Sequence, residues 1–298
     1  MGPGVSAGEA LAPPRQFILT LETLSARGQV AAVTAMLEAH GAYIEEFAVF
    51  DDTLTSRFYV RAQFHIDETR PDLLAALKED YLRCLAAYPQ SRGDIYDATA
   101  AVPAIIMVSK TDHCLNEILA QIRNGALRMR VVAIVSNHID ARAIADAEGI
   151  PFHHLPVTPQ TKPQQERALL ELVQGLGAEF VVLARYMQVL SDDVCRTLPD
   201  RIINIHHSFL PGFKGARPYE QAYERGVKLV GATAHFVTSD LDEGPIIEQA
   251  LERVDHTFLP ERILNMGRHI ESMVLERALR FVLERRVFVN GLRCIILR

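Results

Sequence analysis

Ile202-Ile203-Asn204-Ile205-His206-His207-Ser208-Phe209-Leu210-Pro211 decides how the larger part of this chain is read. Branched aliphatic residues run almost unbroken into two histidines, a serine and a proline. A short continuous apolar run, rather than an alternating one, is what a strand needs when helices cover both faces of its sheet. Towards the N-terminus, 180–183, 130–135 and 104–108 repeat the pattern, and between them 115–122, 141–147 and 164–176 carry apolar residues at helical spacing. Downstream, 227–237 and 246–251 read as further strands and 260–283 as a long helix. The alternation predicts an α/β unit: an open, mostly parallel sheet with helices on both faces. Ligands of such sheets sit beyond the carboxyl ends of the strands, which is where Asn204 and His206 fall.

The first third reads differently. Residues 17–21 form a short apolar strand, and 30–40 carry Val30, Val33, Ala35 and Leu37 at helical spacing up to Gly41. Residues 43–50 and 55–66 alternate apolar and polar side chains around Asp51 and Asp52, as a hairpin does. A second amphipathic helix over 71–85 places Leu73, Leu74, Leu77, Tyr81 and Leu85 on one face. This order predicts a small ferredoxin-like layer. The expected organisation is a loose tail at 1–15, the small domain at 16–88, a linker at 89–103 that is polar and contains Pro, Gly and Asp, and a larger domain at 104–298.

Composition narrows the class. The 298 residues are 49% hydrophobic and 23% charged, ordinary globular values. A net charge of −6 argues against a nucleic acid or an anionic membrane as the main partner. No run of about 18 apolar residues is present for a transmembrane helix. Residues 1–14 have neither the basic start nor the apolar stretch of a signal peptide. The cysteines Cys84, Cys114, Cys195 and Cys294 form no CxxC pair, so a disulfide framework or zinc ribbon is not indicated, and a reduced, cytoplasmic protein is expected.

Beyond the quoted segment, Gly231-Ala232-Thr233-Ala234-His235-Phe236-Val237 leads to Asp240-Leu241-Asp242-Glu243-Gly244-Pro245. An amide, an imidazole and a carboxylate on loops at one sheet edge are parts for acyl-transfer chemistry. The three segments, at this joint spacing, resemble the folate-dependent formyltransferase family over roughly residues 103 to 290. The resemblance implies a catalytic trio of Asn204, His206 and Asp242, acting on the amide-like formyl carbon of 10-formyltetrahydrofolate. Asn204 would donate to the oxyanion, His206 would add a hydrogen bond or proton, and Asp242 would orient His206 and help move the proton to the departing nitrogen. Leu183-Ala184-Arg185-Tyr186-Met187-Gln188-Val189-Leu190 resembles the family's pterin-binding segment, which implies folate contacts from Leu183, Tyr186, Gln188, Val189 and Leu190. Neither a metal nor a cofactor is implied, the folate being the substrate.

The acceptor is read from the turn after the first strand of the larger domain. Family members that formylate glycinamide ribonucleotide have a glycine-rich loop there for the substrate phosphate. This chain has Val108-Ser109-Lys110-Thr111-Asp112-His113-Cys114-Leu115, without a glycine and with Asp112 where a phosphate would sit. The segment resembles the VSKxDHCL signature of formyltetrahydrofolate deformylases and adds Asp112 and His113 to the candidate substrate contacts. Phe213-Lys214-Gly215-Ala216-Arg217-Pro218-Tyr219 and the second histidine, His207, point the same way. Water is then the expected acceptor and formate the product, regulating the one-carbon folate pool and feeding purine biosynthesis. Residues 24–44 resemble an ACT domain, which implies an amino-acid effector and a homo-oligomer. The Cys-Pro-Asp-x-x-Gly entry of such domains reads Glu22-Thr23-Leu24-Ser25-Ala26-Arg27-Gly28 here, without the Pro and the Asp, so the effector stays open.

Several residues keep a plainer reading beside the functional one. His207 follows His206, and adjacent strand residues point to opposite faces, so His207 is either structural or site-lining. His235 is a packed histidine bonded to Asp240 or Asp242, or it lines the site. Asp240 and Glu243 read as turn residues, Asp112 as an N-cap or a site residue, and Cys114 as a small buried apolar group. His206, His235 and Asp242 are types that can ligate a metal, but their spacing does not enforce one. Two other functions compete with hydrolysis: formyl transfer to an unidentified amine, and a non-catalytic amino-acid sensor with a retired enzyme half. The intact Asn204, His206 and Asp242 argue against the sensor.

Overall fold

The apolar runs become neighbouring strands of one sheet. The computed structural model describes residues 14–68, 70–210 and 218–298. It comprises two units, one holding the chain up to Ala100 with Leu297 and Arg298, the other Ala101–Ile296. The segment 211–217, which includes much of the Phe213 to Tyr219 motif, lies outside the described residues, as does 1–13 of the expected tail.

The first unit runs β1 (Arg15–Leu24), α1 (Gln29–Ala39), β2 (Tyr43–Asp52), β3 (Arg57–Ile66), α2 (Leu73–Leu85) and β4 (Arg92–Asp97). Its strands lie in the order β2-β3-β1-β4, with every adjacent pair antiparallel. The result is a split βαβ layer. Phe17, Leu19 and Leu21 of β1 meet Val33, Leu37, Leu73, Leu77 and Tyr81 of the helices in one core.

Two expected boundaries move. The tail ends earlier than 15, because Arg15 already pairs with Ile66. Residues 89–103 are not a linker. Arg92–Asp97 is the fourth strand, with Ile95 opposite Leu19, and β5 begins at Val102. Gly93, which looked like a linker residue, is there because a Cβ would sit 2.0 Å from the Thr20 carbonyl oxygen. With Ile95 as its one fully buried aliphatic, this strand has little hydrophobic periodicity to betray it.

The second unit runs β5 (Val102–Val108), α3 (His113–Arg123), β6 (Met129–Ser136), α4 (Arg142–Ala147), β7 (Phe152–His154), α5 (Lys162–Gly175), β8 (Phe180–Leu183), α6 (Asp192–Thr197) and β9 (Ile202–His206). It continues with α7 (Pro218–Glu224), β10 (Leu229–Phe236), β11 (Ile246–Arg253), α8 (Pro260–Leu283), β12 (Val287–Asn290) and β13 (Arg293–Ile296). Among the described residues its strands form one sheet in the order β12-β13-β11-β10-β9-β8-β5-β6-β7. The half from β7 to β9 is parallel throughout, whereas β10 runs antiparallel to both β9 and β11. Along β5, Ala104, Ile106 and Val108 belong to the core that contains Leu115, Ile270 and Val274. The alternate residues Ile105 and Met107 belong to the core that contains Leu169, Val173 and Val194. Burial on both faces is why this strand reads as an unbroken apolar run.

Candidate active site

Asn204 and His206 are two residues apart on β9 and therefore project from the same face. Parallel pairing sets Leu183 of β8 opposite Asn204, and antiparallel pairing sets His235 of β10 opposite it from the other side. These three side chains form a row across three strands. His235 is buried, and burial lowers its pKa below the ordinary imidazole value, which favours the neutral ring. Its Nδ1 lies 2.8 Å from the Phe236 carbonyl oxygen, so the proton belongs on Nδ1 and donates there. The unprotonated Nε2 then accepts from Asn204 Nδ2 at 3.2 Å. One N–H of Asn204 is thereby spent on orientation, leaving its second N–H for another partner.

Asp242 reaches the row from a turn. Its backbone is left-handed, with φ +58, and Gly244 lies so close to the end of β10 that a Cβ would be 1.8 Å from the Phe236 carbonyl oxygen. Only glycine permits that approach. The turn, pressed against the strand, carries Asp242 Oδ1 to 3.2 Å from His206 Nδ1 and 3.9 Å from His235 Nε2. The hydrogen bond from His206, with the charge of the surrounding imidazoles, holds the Asp242 carboxyl below the usual range despite its partial burial. The other nitrogen of His206, Nε2, is buried without a hydrogen-bond partner among the described residues.

These groups line a cavity of about 300 Å³. One wall is the loop after β8, including Tyr186, Gln188, Val189 and Leu190; the other is 237–242. Three polar tethers position the first wall. Ser109 Oγ accepts from Met187 N at 3.0 Å while donating to Asn137 Oδ1 at 2.7 Å, and Glu166 Oε1 accepts from Ser191 N at 2.8 Å. Arg185 Nε lies 3.2 Å from Glu271 Oε2. Tyr186 is buried, its hydroxyl without a partner among the described residues, and burial, assisted by the charge of Glu166, pushes its pKa up to about 12. The tyrosine is thus a neutral donor, while Met187 and Val189 remain exposed apolar surface.

The cavity unites Asn204, His206, Asp242, Leu183, Tyr186, Gln188, Val189, Leu190, His207 and His235. It does not include Asp112 and His113. Asp112 is the exposed N-cap residue of α3, without a side-chain capping bond, and His113 Nε2 instead pairs with Glu271 Oε2 at 2.8 Å. His207 lines the cavity beside His206, their rings 5.1 Å apart and stacked. Strict alternation does not apply because β9 ends at His206 and the chain bends. His235 has its hydrogen bonds with Phe236 and Asn204 rather than with Asp240 or Asp242, and Asp240 lines the cavity. Sequence reading missed Arg185, Ser109 and Glu271. Ser109 and Arg185 lie at strand ends inside the quoted motifs 108–115 and 183–190, whereas Glu271, within α8, has no local signal.

Metal ligation is poorly suited to either candidate set. His235 Nε2 is occupied by Asn204. His113, Cys114 and Glu271 offer ligand atoms within 4.8 Å of one another, but the Arg185 guanidinium already supplies a cation to that carboxylate.

The family described as formyl transferase matches residues 103–279. A formyltetrahydrofolate deformylase of Corynebacterium sp. (strain P-1) is 47% identical over 283 residues, 95% of this chain and 98% of the relative. The crystal structure of a formyltetrahydrofolate deformylase from Burkholderia mallei is 51% identical, with a TM-score of 0.91 over 96% of this chain and 100% of that chain. A second, from Pseudomonas putida, is 45% identical, with a TM-score of 0.88 over 95% and 100%.

Proposed function

The chain belongs to the formyltetrahydrofolate deformylases, and from that premise we propose that Asn204, His206 and Asp242 hydrolyse 10-formyltetrahydrofolate to tetrahydrofolate and formate. The observation that carries the assignment is the buried Nε2 of His206, without a partner among the described residues, beside an oriented Asn204 amide, with Asp242 behind the ring. Water attacks the formyl carbon, forming a C–O bond and an oxyanion. Asn204 Nδ2 and a protonated His206 Nε2 donate to that oxyanion, replacing hydrogen bonds that water would otherwise have to reorganise to make. The ionised Asp242 stabilises the imidazolium and takes part in relaying the water's proton to N10. The C–N10 bond then breaks, leaving N10–H tetrahydrofolate and formate.

The loop 183–190 supplies the folate contacts in this reading: an apolar wall with a few fixed polar groups suits a flat heterocycle. Transfer to glycinamide ribonucleotide is disfavoured by the glycine-free turn 109–112, where Asp112 heads α3. For residues 15–97 we infer an ACT-like regulatory role, an amino-acid effector and homo-oligomer formation, supported by the split βαβ order. A reduced cytoplasmic setting accords with four free thiols. The test is incubation of the purified protein with 10-formyltetrahydrofolate and no amine, following free formate. Release that persists after chelation, with no formylated product from millimolar glycinamide ribonucleotide, is expected. Formylated ribonucleotide would make this a transferase.

A further inference from the structure

Glu271 lies in α8, 1% exposed, and takes no part in the chemistry derived above. Its carboxylate nevertheless gathers groups from three other segments. Oε2 is 2.8 Å from His113 Nε2 at the start of α3 and 3.2 Å from Arg185 Nε after β8, while Oε1 accepts from the Tyr219 hydroxyl of α7. One helical turn earlier, Gly267 makes room for that tyrosine, since a Cβ there would lie 2.1 Å from its ring. Burial alone would raise the Glu271 pKa. The His113 hydrogen bond, the Arg185 charge and the Tyr219 hydroxyl outweigh it and hold the carboxyl below its ordinary value. The site therefore contains a buried carboxylate in its ionised form.

Arg185 is the informative partner. It opens the cavity wall and has a left-handed backbone, φ +65. A non-glycine residue persists there when its surroundings over-determine it. Its Nε is buried and not aligned for a hydrogen bond, and among the described residues the ion pair with Glu271 is the electrostatic hold on this side chain. Ser109 holds the next turn of the loop through Met187 N.

We propose that Glu271 is a positioning residue for folate binding: its carboxylate fixes Arg185, and through Arg185 the course of the loop 185–190 along the cavity. The folate part of this inference rests on the functional reading above; the tether itself rests on geometry alone. It also gives His113 a role as a partner of the tether rather than a substrate contact.

The test is Glu271→Gln in the full-length chain, with Arg185→Met and the double variant. Removing an interaction that holds the binding wall should raise the KM for 10-formyltetrahydrofolate about tenfold while kcat stays within about twofold. Amide hydrogen exchange of 185–191, measured without ligand, should accelerate in Glu271→Gln and in Arg185→Met. If Glu271 acts through Arg185, the double variant should be no worse in KM than the worse single variant. A fall in kcat with KM unchanged, additive KM effects, or unaltered exchange in 185–191 would overturn the proposal. Should Glu271→Gln fail to fold, Arg185→Met is judged alone by the same KM, kcat and exchange criteria. Absence of formate release by the wild-type protein would defeat the functional reading, while the exchange experiment would still decide whether the tether exists.

Discussion

Two polar clusters, one in each unit, are built in different ways. In the small sheet, buried Glu22 accepts from Arg57 and, at 2.6 Å, from Arg92, while fully buried Arg61 lies 3.0 Å from Glu46. At the ends of β9 and β10 the groups satisfy one another only in part: Asn204 holds His235, Asp242 holds His206, and His206 Nε2 has no hydrogen-bond partner among the described residues. Native structures rarely leave a buried polar atom unanswered, so one that lies in a cavity wall, beside an oriented amide donor and a carboxylate, marks a place for water or a ligand. A carboxylate ringed by arginines implies scaffold; a buried imidazole in a cavity wall, beside an oriented amide and a carboxylate, implies a site.

The sharpest way to break that contrast is Asp242→Asn, which preserves shape and removes the charge behind His206. A loss of about a thousandfold in kcat is expected, within the range of general acid–base groups, with the circular dichroism spectrum unchanged. Retention of more than about a tenth of the activity would remove Asp242 from the mechanism. Next in size, Asn204→Ala should cost about a hundredfold in kcat, as loss of one oxyanion donor does, with a smaller change in KM. Equal effects on binding and turnover would assign Asn204 to folate recognition instead.

Glu22→Gln addresses the opposite pole. It should cost about 2 kcal/mol in the stability of the small unit, the scale of a charged hydrogen bond, and leave kcat/KM unchanged. A kinetic effect comparable with that of Asn204→Ala would show that the small sheet serves more than its own stability.

The smallest effect is a pH dependence. Because the folded-state pKa of His235 lies below the ordinary value, the unfolded chain binds more protons between the two. Its contribution to stability is therefore complete above the unfolded pKa, about 6.5, and is lost as pH falls towards the lowered folded value. The unfolding midpoint should decline from pH 7.5 to 5.5, and the decline should be shallower in His235→Gln. Identical slopes would locate the acid sensitivity elsewhere.

What the sequence disclosed follows from how each element is stabilised. Strands β5, β6, β8 and β9 were legible because burial on both faces demands continuous apolar residues, and Asn204, His206 and Asp242, which the structure brings to one cavity, were singled out because short motifs carry them at fixed spacing. Strand β4 was hidden because its place depends on pairing with β1 and on Gly93 meeting the Thr20 carbonyl, neither of which has a local signature. The short strands β7, β12 and β13 escaped for the related reason that few residues leave little pattern. His207, open in the sequence between a structural and a site-lining reading, lines the cavity because the pleat ends at His206. Glu271 was invisible because its partner His113 is 158 residues away, and no periodicity spans that distance.

The contact of Gly244 with the Phe236 carbonyl has a further consequence for how this enzyme can be altered. The address of residue 242 is written in main-chain atoms, so a side chain that tolerates its left-handed backbone, as asparagine does, is delivered to nearly the same spot. Chain length in the turn is another matter. One residue inserted between Asp242 and Gly244 would leave the cores intact yet carry the carboxylate away from His206, giving a folded protein with a silent centre.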